Sequence, residues 1–511
     1  MSESKGILSS TIQVAIAMFI IKLLGVAKQS IIAAACGATS ETDAYFIATG
    51  VIISLCSVLF SAISISFLSM HTNRLVLEGR ESSNNLINAV LRVFIPISIC
   101  IAIVFAIGSP VVAKILAPSY QGEQLQCLIT YIRILSLTFV FFCYYLIVNV
   151  LLETDKRFLP GKGQSFFQNL MVILAALLFY KKIGMSALIY AIVLAGVVQC
   201  VQITWSARNI FKPKLKIKKE NEHIKKLINL SLPLLLGNAI YEINDIVDKQ
   251  ISSGLGHGNA SVLTYGASIN EIVTTLIIAS VSTVLFSHYA TWIAEGNKDK
   301  VGENLKVSLE YLVVLIMPIM VMCLVCGDYI VTILYGRGNF GETAIARTNS
   351  VVIGYALGFF FQAARANIVK VYYAFQDTRT PMINGAISVA ANICMSLLFS
   401  RIFGVGGIAL ATSMAMLLVT LLLFPQIRKY LPGFSIKSSA GEYVKVLLAG
   451  ICVGISACFL RRILHTGTIV SFLIMGCFVV GMYGMLVFIF KVKSVRILAS
   501  RFFLHKNSKD L

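Results

Sequence analysis

The chain is divided into long apolar runs, and these runs restrict its fold more than any other feature of the sequence. A run of about 20 apolar residues crosses the hydrocarbon core of a bilayer as an α-helix. The runs are continuous and lack the alternation of apolar and polar residues that is typical of a membrane β-barrel. We therefore predict an all-α polytopic membrane protein with about 14 transmembrane helices. The predicted spans are 9–35, 42–70, 85–108, 125–152, 162–180, 184–206, 227–251, 260–290, 305–326, 345–374, 380–400, 405–426, 441–461 and 466–490.

The charge balance agrees with this class. Charged residues make up 13% of the 511 residues, whereas soluble domains carry about 25%. A net charge of +20 would indicate nucleic-acid binding in a soluble protein. Here the excess of Lys and Arg lies in loops that we assign to the cytoplasm, as the positive-inside rule expects. An even number of spans then places both termini in the cytoplasm, and we predict no nucleic-acid partner.

The sequence has no signature of a disulfide framework, a metal site or an enzyme. The twelve cysteines lie almost wholly within apolar runs, which is typical of small buried hydrophobes. Cys323 and Cys326 have CxxC spacing, but they lie inside a predicted span and have no second pair. The chain also lacks the motifs GxxxxGK[ST], HExxH and GxSxG. We expect a protein that is not an enzyme and that holds no metal or cofactor.

The sequence repeats itself at a spacing of roughly 220 residues. The segment DKRFLP at 155–160 resembles DTRTP at 377–381, and each follows the fourth span of a six-span unit. The next span of each unit has a central asparagine, Asn169 or Asn392. We predict two parallel six-helix repeats around a central cavity, plus two C-terminal helices. The predicted domains are the N-terminal repeat (1–210), a basic cytoplasmic linker (211–226), the C-terminal repeat (227–430), and two additional helices with a basic tail (431–511).

Lys22 and Lys28 lie at membrane depth in the first predicted span, on either side of Gly25. A charge at the bilayer centre costs about 2.5–3.5 kcal/mol on insertion scales, so such residues usually face water, a partner or a ligand. Gly25 can loosen the helix and expose its backbone between them. We predict that both lysines face the cavity and bind an anionic head group, with snorkelling to the membrane surface as the structural alternative. Asp43, after the turn that follows the span, and Arg365, deep in the tenth span, join them as predicted binding residues.

The seventh span carries the opposite charge. Glu242, Asp245 and Asp248 follow one another at i, i+3 and i+6, so they share a broad helix face. Lys249 lies at i+4 from Asp245 and can neutralise it. Carboxylates in a membrane helix are costly unless they are paired, protonated or ion-bound. Two interpretations stay open, namely salt bridges to cations of the first repeat and a site that couples transport to Na⁺ or H⁺. We group Asp377 with these acids as a predicted coupling residue.

Two segments of the second repeat carry a more specific signature. They are YYAFQDTRTP at 372–381 and GGIALATS at 406–413. Together with weaker matches elsewhere, they resemble the MurJ/MviN family of the multidrug/oligosaccharidyl-lipid/polysaccharide exporter superfamily. The weaker matches are Leu23-Leu24-Gly25, Gly37-Ala38 followed by Asp43-Ala44-Tyr45, and Asn244 with Asp248.

The resemblance implies a flippase that moves lipid II, an undecaprenyl-diphosphate-linked peptidoglycan precursor, from the inner to the outer leaflet by alternating access. It implies that cavity cations bind the diphosphate, and that the membrane potential or a cation drives the cycle. It also implies the bacterial cytoplasmic (inner) membrane as the location, with membrane lipids and the cell-envelope synthesis machinery as partners. Glu271 of the eighth span matches an acid of the family and is added to the predicted substrate-binding residues.

The chain departs from the family at several basic positions. The family's arginines of the first span match lysines here, and its cations of the second and eighth spans fall at Cys56, Ser57 and Ser268. These losses keep a flippase for another envelope glycan lipid, of O-antigen, capsule or exopolysaccharide, as an alternative. A cation-coupled multidrug exporter, whose cavity would be dominated by acids and aromatics, is a second alternative. A membrane scaffold, whose lysines would be paired and whose halves would enclose no wet cavity, is a third.

Overall fold

The computed structural model describes residues 2–213, 220–275, 288–289, 291–293, 295–464 and 466–493. All regular secondary structure within these residues is helical. Many of the helices are long and apolar, so the prediction of an all-α, multi-pass membrane protein is confirmed. Three predicted segments lie partly outside the described residues, namely the basic linker, the eighth span and the basic tail.

The helices follow the predicted spans. The first ten are α1 (Ser2–Cys36), α2 (Ser40–Ile107), α3 (Ser109–Leu116), α4 (Gly122–Leu135), α5 (Thr138–Thr154), α6 (Gly163–Leu178), α7 (Tyr180–Ile183), α8 (Ser186–Ala207), α9 (Asn221–Ser253) and α10 (Asn259–Val273). After the gap come α11 (Lys298–Tyr335), α12 (Glu342–Ala356), α13 (Phe359–Ala374), α14 (Arg379–Phe403), α15 (Val405–Gln426), α16 (Ala440–Ile463) and α17 (Thr468–Ile489).

Nine helices of the described chain are long and apolar enough to cross a membrane, or up to ten if α12 and α13, bent by 42°, form one span. This criterion uses length and composition only, so the count of fourteen stays a prediction. The helix α2 shows why counting is difficult, because it covers both the second and the third predicted span in 68 residues. As one straight helix, 68 residues would extend roughly 100 Å at 1.5 Å per residue, about three times the hydrocarbon thickness. Gly79, with φ 82° and ψ −179°, interrupts it between the two spans.

Glycines and a polar cap set the helix boundaries nearest the predicted binding residues. Gly37 has φ +66°, a conformation that glycine adopts readily, and it follows the end of α1. Thr39 is the N-cap of α2, and its hydroxyl accepts a hydrogen bond from the N–H of Thr42 (3.3 Å). The turn predicted between the first two spans is therefore present.

The chain divides into two compact units. Unit 1 comprises Met1–Ser261 and Arg337–Gly341, and unit 2 comprises Val262–Gly336 and Glu342–Leu511. In unit 1, α2 packs on α4, α5 and α9, and α6 packs on α1 and α8. In unit 2, α15 packs on α12, α13 and α14, while α16 and α17 pack on α11. The compactness of a unit does not test whether the sequence is duplicated, so the predicted repeat boundaries stay a prediction. The helix α9, most of which is assigned by that prediction to the C-terminal repeat, belongs to unit 1.

The helices α5 and α13 end in the same way, which supports the internal repeat. Lys156 (φ 59°) and Gln376 (φ 61°) both have left-handed backbones. Each donates a backbone hydrogen bond to the residue three positions before it, and its successor, Arg157 or Asp377, donates to the residue five positions back. This is the Schellman pattern of a helix C-terminus. It makes Asp377 equivalent to Arg157, so the motif alignment that paired Asp377 with Asp155 is wrong by two residues.

Candidate functional site

The two predicted cavity lysines lie on one uninterrupted helix. Lys22 and Lys28 are both partly exposed on α1, which stays helical through Gly25. Six residues separate them, which is roughly 9 Å along the helix axis. The expectation that Gly25 loosens the helix is wrong, because α1 is continuous through this residue. The amide nitrogen of Asn169 on α6 lies 3.7 Å from the place of a Gly25 Cβ.

Asp43 connects the start of α2 to the start of α10 within unit 1. Its side chain is 0% exposed in the first turn of α2. Oδ2 accepts a hydrogen bond from the N–H of Gly258 (2.6 Å), and Oδ1 accepts from the N–H of Ser261 (2.7 Å) and from its hydroxyl. The N–H groups of a first helical turn have no partner inside the helix, and Ser261 is the third residue of α10. Asp43 therefore caps α10 from another helix, and its predicted contact with substrate stays a prediction.

A second set of contacts joins the end of α1 to Arg337–Gly341. The backbone N–H of Asn339 donates to the carbonyl of Ala34 (2.9 Å), and its side-chain amide donates to Ala35 (2.7 Å). Gly338 has φ +60°, and a Cβ there would lie 2.2 Å from the Ala34 carbonyl oxygen. The last carbonyls of a helix also lack intrahelical partners, so these contacts satisfy them. We call the residues 34–43, 257–261 and 338–339 the clasp.

Sequence reasoning did not predict the clasp partners. Ser40 Oγ also lies 2.8 Å from Nδ1 of His257. Gly258 has φ +83°, and a Cβ there would lie 2.6 Å from the carbonyl oxygen of Ala38. The only sequence signal is the pair of glycines at 256 and 258, which marks a tight turn but names no partner.

The three acids of α9 have different surroundings. Asp245 forms an ion pair with Lys249 of the same helix, and the two side chains are 51% and 13% exposed. Asp248 is buried and accepts a hydrogen bond from the amide of Asn244 (3.2 Å). Glu242 is partly exposed. The pairing of Asp245 with Lys249 that their spacing predicts is thus confirmed, and salt bridges to cations of the first repeat stay a prediction. The coupling role of these acids stays a prediction.

Lys249 is held in a slot on the neighbouring helix α2. A Cβ at Gly50 would lie 2.1 Å from Nζ of Lys249 and 2.8 Å from its Cε. The ammonium group can therefore occupy this place only because residue 50 has no side chain. The slot brings the Asp245–Lys249 pair against α2.

Asp377 lies in the turn between α13 and α14, outside the membrane-spanning helices. It accepts hydrogen bonds from the N–H of Thr380 (2.9 Å) and the hydroxyl of Tyr430 (3.0 Å). Partial burial acts to raise the pKa of Asp377, but the hydrogen bonds from Thr380 and Tyr430 outweigh it and lower that pKa. This geometry is that of a capping carboxylate in unit 2, and its predicted coupling role stays a prediction.

Arg365 lines a polar cavity of 490 Å³ within unit 2. The cavity lies between α10, α13 and α15, and Gln362 Nε2 lies 3.4 Å from Asn270 Oδ1 across the first two of these helices. Glu271, adjacent to Asn270, is exposed on α10. Sequence reasoning predicted Arg365 but not its polar neighbours, whose signal is a set of amides and hydroxyls within apolar runs. The polar lining is Asn270, Thr274, Thr275, Gln362, Arg365 and Thr412.

Two of the positions that lack the expected cations, Cys56 and Ser268, hold uncharged side chains with simple surroundings. Cys56 is fully buried, with its sulfur 3.8 Å from the hydroxyl of Thr138. Ser268 donates its hydroxyl hydrogen bond to the carbonyl of Thr264 on its own helix (2.9 Å). Among the described residues, no group of three or more His, Cys, Asp or Glu is placed to hold a metal ion.

Comparison with known proteins identifies the family. A family model described as "Lipid II flippase MurJ" matches residues 32–479, which is most of the chain. The chain belongs to the MurJ family. A probable lipid II flippase MurJ of Treponema pallidum is 21% identical over 445 residues, covering 83% of this chain and 82% of the relative. The Vibrio cholerae protein of the same description is 24% identical over 445 residues, covering 82% and 83%.

Solved structures agree with the fold of the MurJ family. A lipid II flippase MurJ in an inward closed conformation superposes with a TM-score of 0.81 at 23% identity, covering 96% of this chain and all of that one. An inward-facing multidrug resistance MATE family transporter of the MOP superfamily gives a TM-score of 0.71 at 13% identity, covering 84% and 99%. At these identities the likeness concerns the fold alone. The resemblance predicted from the signature segments is therefore confirmed.

Proposed function

We propose that the chain is a flippase that moves lipid II from the inner to the outer leaflet by alternating access. The observation that carries this proposal is the match of a lipid II flippase family model to residues 32–479. The relatives from Treponema pallidum and Vibrio cholerae are named as probable lipid II flippases, and each aligns with more than four fifths of both chains. Membership of a transporter family also supports the prediction that the chain is not an enzyme.

The head group is bound by charged side chains in this proposal. Lys22 and Lys28 of α1 supply two ammonium groups, which act as point charges toward a diphosphate. Arg365 of unit 2 supplies a guanidinium group, whose planar fork suits paired hydrogen bonds to oxygen atoms. Glu271, adjacent to the cavity residue Asn270, and Asp43 are the acids of the predicted binding set. The polyprenyl tail stays in the bilayer, because its transfer into water would be costly.

The driving force is assigned to the membrane potential or to coupled Na⁺ or H⁺. Glu242, Asp245 and Asp248 support this assignment, because carboxylates of a membrane helix respond to protonation or cation binding. The Asp245–Lys249 pair is the described contact that such an event would change. Asp377, which lies outside the spans, is the least supported member of the predicted coupling set.

The membrane and the partners follow from the substrate. We place the chain in the bacterial cytoplasmic membrane, since lipid II is made on the inner side of that membrane, and we place both termini in the cytoplasm. The excess of basic residues in the loops assigned to the cytoplasm supports this orientation. Membrane lipids surround the spans, and the enzymes of cell-envelope synthesis supply and consume the substrate.

The alternatives are less well supported. The likeness to MATE transporters is one of fold at 13% identity and does not favour drug export. The family match favours lipid II over the lipid-linked precursors of O-antigen, capsule or exopolysaccharide, although Cys56 and Ser268 lack the expected charge.

Depletion of the protein in its own cells, followed by analysis of lipid-linked intermediates, tests the proposal. We expect lipid II to build up, and a Lys22→Arg variant to prevent the build-up as well as the wild type does. A Lys22→Gln, Lys28→Gln double variant is expected to fail, because it removes both ammonium groups. Build-up of a different glycan lipid would identify another substrate, and no build-up would refute a flippase for envelope glycans.

A further inference from the structure

The polar cavity of unit 2 has a lining that differs from that of a site for a highly charged group. Among the described residues that line it, only Arg365 carries a charge, and the other polar side chains are amides and hydroxyls. Diphosphate carries several negative charges, and proteins usually bind it with several cations or backbone N–H groups. A single guanidinium group among neutral polar groups is better matched to a weakly charged or neutral ligand.

Amides and hydroxyls can both donate and accept hydrogen bonds. This is the complement of a sugar bearing hydroxyl and acylamino groups, which also donates and accepts. The contact between Gln362 and Asn270 fixes two of these amides against each other between α13 and α10. Met416 and Ala366 add an apolar patch to the same lining, against which the C–H face of a sugar ring can pack.

The size of the cavity and the character of its neighbour agree with this ligand. A volume of 490 Å³ falls within the range of about 300–1,000 Å³ that is typical of small-molecule sites. Unit 2 has a second cavity of 410 Å³, lined by apolar side chains such as Met317, Phe360 and Phe424. That cavity offers few partners to a hydroxyl-rich group, so the polar cavity is the better match for a sugar.

We infer that the Arg365 cavity binds the sugar portion of the lipid-linked head group rather than its diphosphate. Arg365 donates to oxygen atoms of the sugar and of its acyl group, and the amides and hydroxyls pair with the remaining polar atoms. This inference rests on the proposed function in taking the substrate to be a lipid-linked saccharide. It divides recognition between a sugar subsite in unit 2 and a diphosphate subsite at the lysines of α1.

Binding of two soluble probes to the purified full chain tests this division. The probes are the disaccharide of N-acetylglucosamine and inorganic diphosphate, each titrated while the thermal unfolding temperature is followed. We expect Arg365→Gln to weaken disaccharide binding about 10-fold or more, as for loss of a hydrogen bond to a charged group. Diphosphate binding should stay unchanged in this variant, and it should weaken in Lys22→Gln.

Two further variants separate binding from folding. Ala366→Leu fills the cavity without removing a charge and should weaken disaccharide binding to a similar degree. Arg401→Gln removes an exposed arginine at the end of α14 and should leave both probes unaffected. The unliganded unfolding temperature of each variant shows whether it is folded.

Three results would overturn the inference. They are a wild-type chain that does not bind the disaccharide, equal disaccharide binding by the wild type and both cavity variants, and loss of diphosphate binding in Arg365→Gln. The test is separate from that of the flippase proposal, because depletion reports which lipid accumulates. A chain that binds the disaccharide in this cavity but whose depletion accumulates no glycan lipid would refute only the transport proposal.

Discussion

Removal of the Asp43 carboxylate is expected to release the start of α10 from the clasp. In Asp43→Ala, the N–H groups of Gly258 and Ser261 lose their acceptor in a place that is closed to water. A buried donor without a partner costs about 1–3 kcal/mol, so the two backbone groups together cost about 2–6 kcal/mol. Even the lower limit corresponds to an opening equilibrium that is about 30-fold more favourable. Asp43→Asn keeps the shape and one acceptor atom, so its effect should be smaller.

Hydrogen–deuterium exchange of the full chain in lipid nanodiscs measures this opening. Peptides that cover 257–262 should exchange at least about 30-fold faster in Asp43→Ala than in the wild type. Glu41→Gln is the matched control, because Glu41 is an exposed acid in the same first turn of α2. Unchanged exchange in Asp43→Ala, or equal acceleration in Glu41→Gln, would refute the capping role.

Three further predictions concern other contacts. Gly338→Ala should lower the unfolding temperature more than Gly404→Ala, because both glycines have φ near +60° but only Gly338 has an atom within 4 Å of an added Cβ; equal shifts would contradict the clasp geometry. Gly50→Ala should displace Lys249 from its slot and reduce flipping in reconstituted vesicles; normal flipping would show that the slot is dispensable. Asp377→Asn should lower the unfolding temperature at pH 7. The pKa of Asp377 is lowered in the folded chain. The difference in unfolding temperature between the wild type and Asp377→Asn should therefore be complete above the unfolded-state pKa of about 3.9 and disappear as the pH falls through the folded-state pKa. A difference that does not depend on pH would exclude the carboxylate as its cause.

The helices were predictable from sequence because the length of an apolar run directly reflects the thickness of the membrane. The turn at Gly37 and Thr39 was predictable for a local reason, since glycine and a hydroxyl cap act on adjacent residues. Lys22, Lys28 and Arg365 were candidates because a charge within an apolar run is costly wherever the chain folds.

The contacts of these residues were not predictable, because they join positions far apart in the chain. Asp43 meets residues 215 and 218 positions away, and no local pattern encodes such a pairing. Asn169 of α6 meets the carbonyl of Ile21 on α1, 148 positions away (3.4 Å). An alignment of the repeat motif by identical amino acids pairs its aspartates, whereas the backbone conformation pairs the left-handed residues Lys156 and Gln376.

The backbone conformation of Gly79, where α2 is interrupted, determines the chirality of the amino acid that this position accepts. Its φ of 82° and ψ of −179° are the mirror image of an extended conformation that ordinary L residues adopt freely. A Cβ at Gly79 would meet no atom within 4 Å, so chirality and not crowding reserves the site for glycine. A D-alanine introduced there by chemical ligation would fit without strain, and by restricting the unfolded chain it would stabilise the conformation that L-alanine would distort.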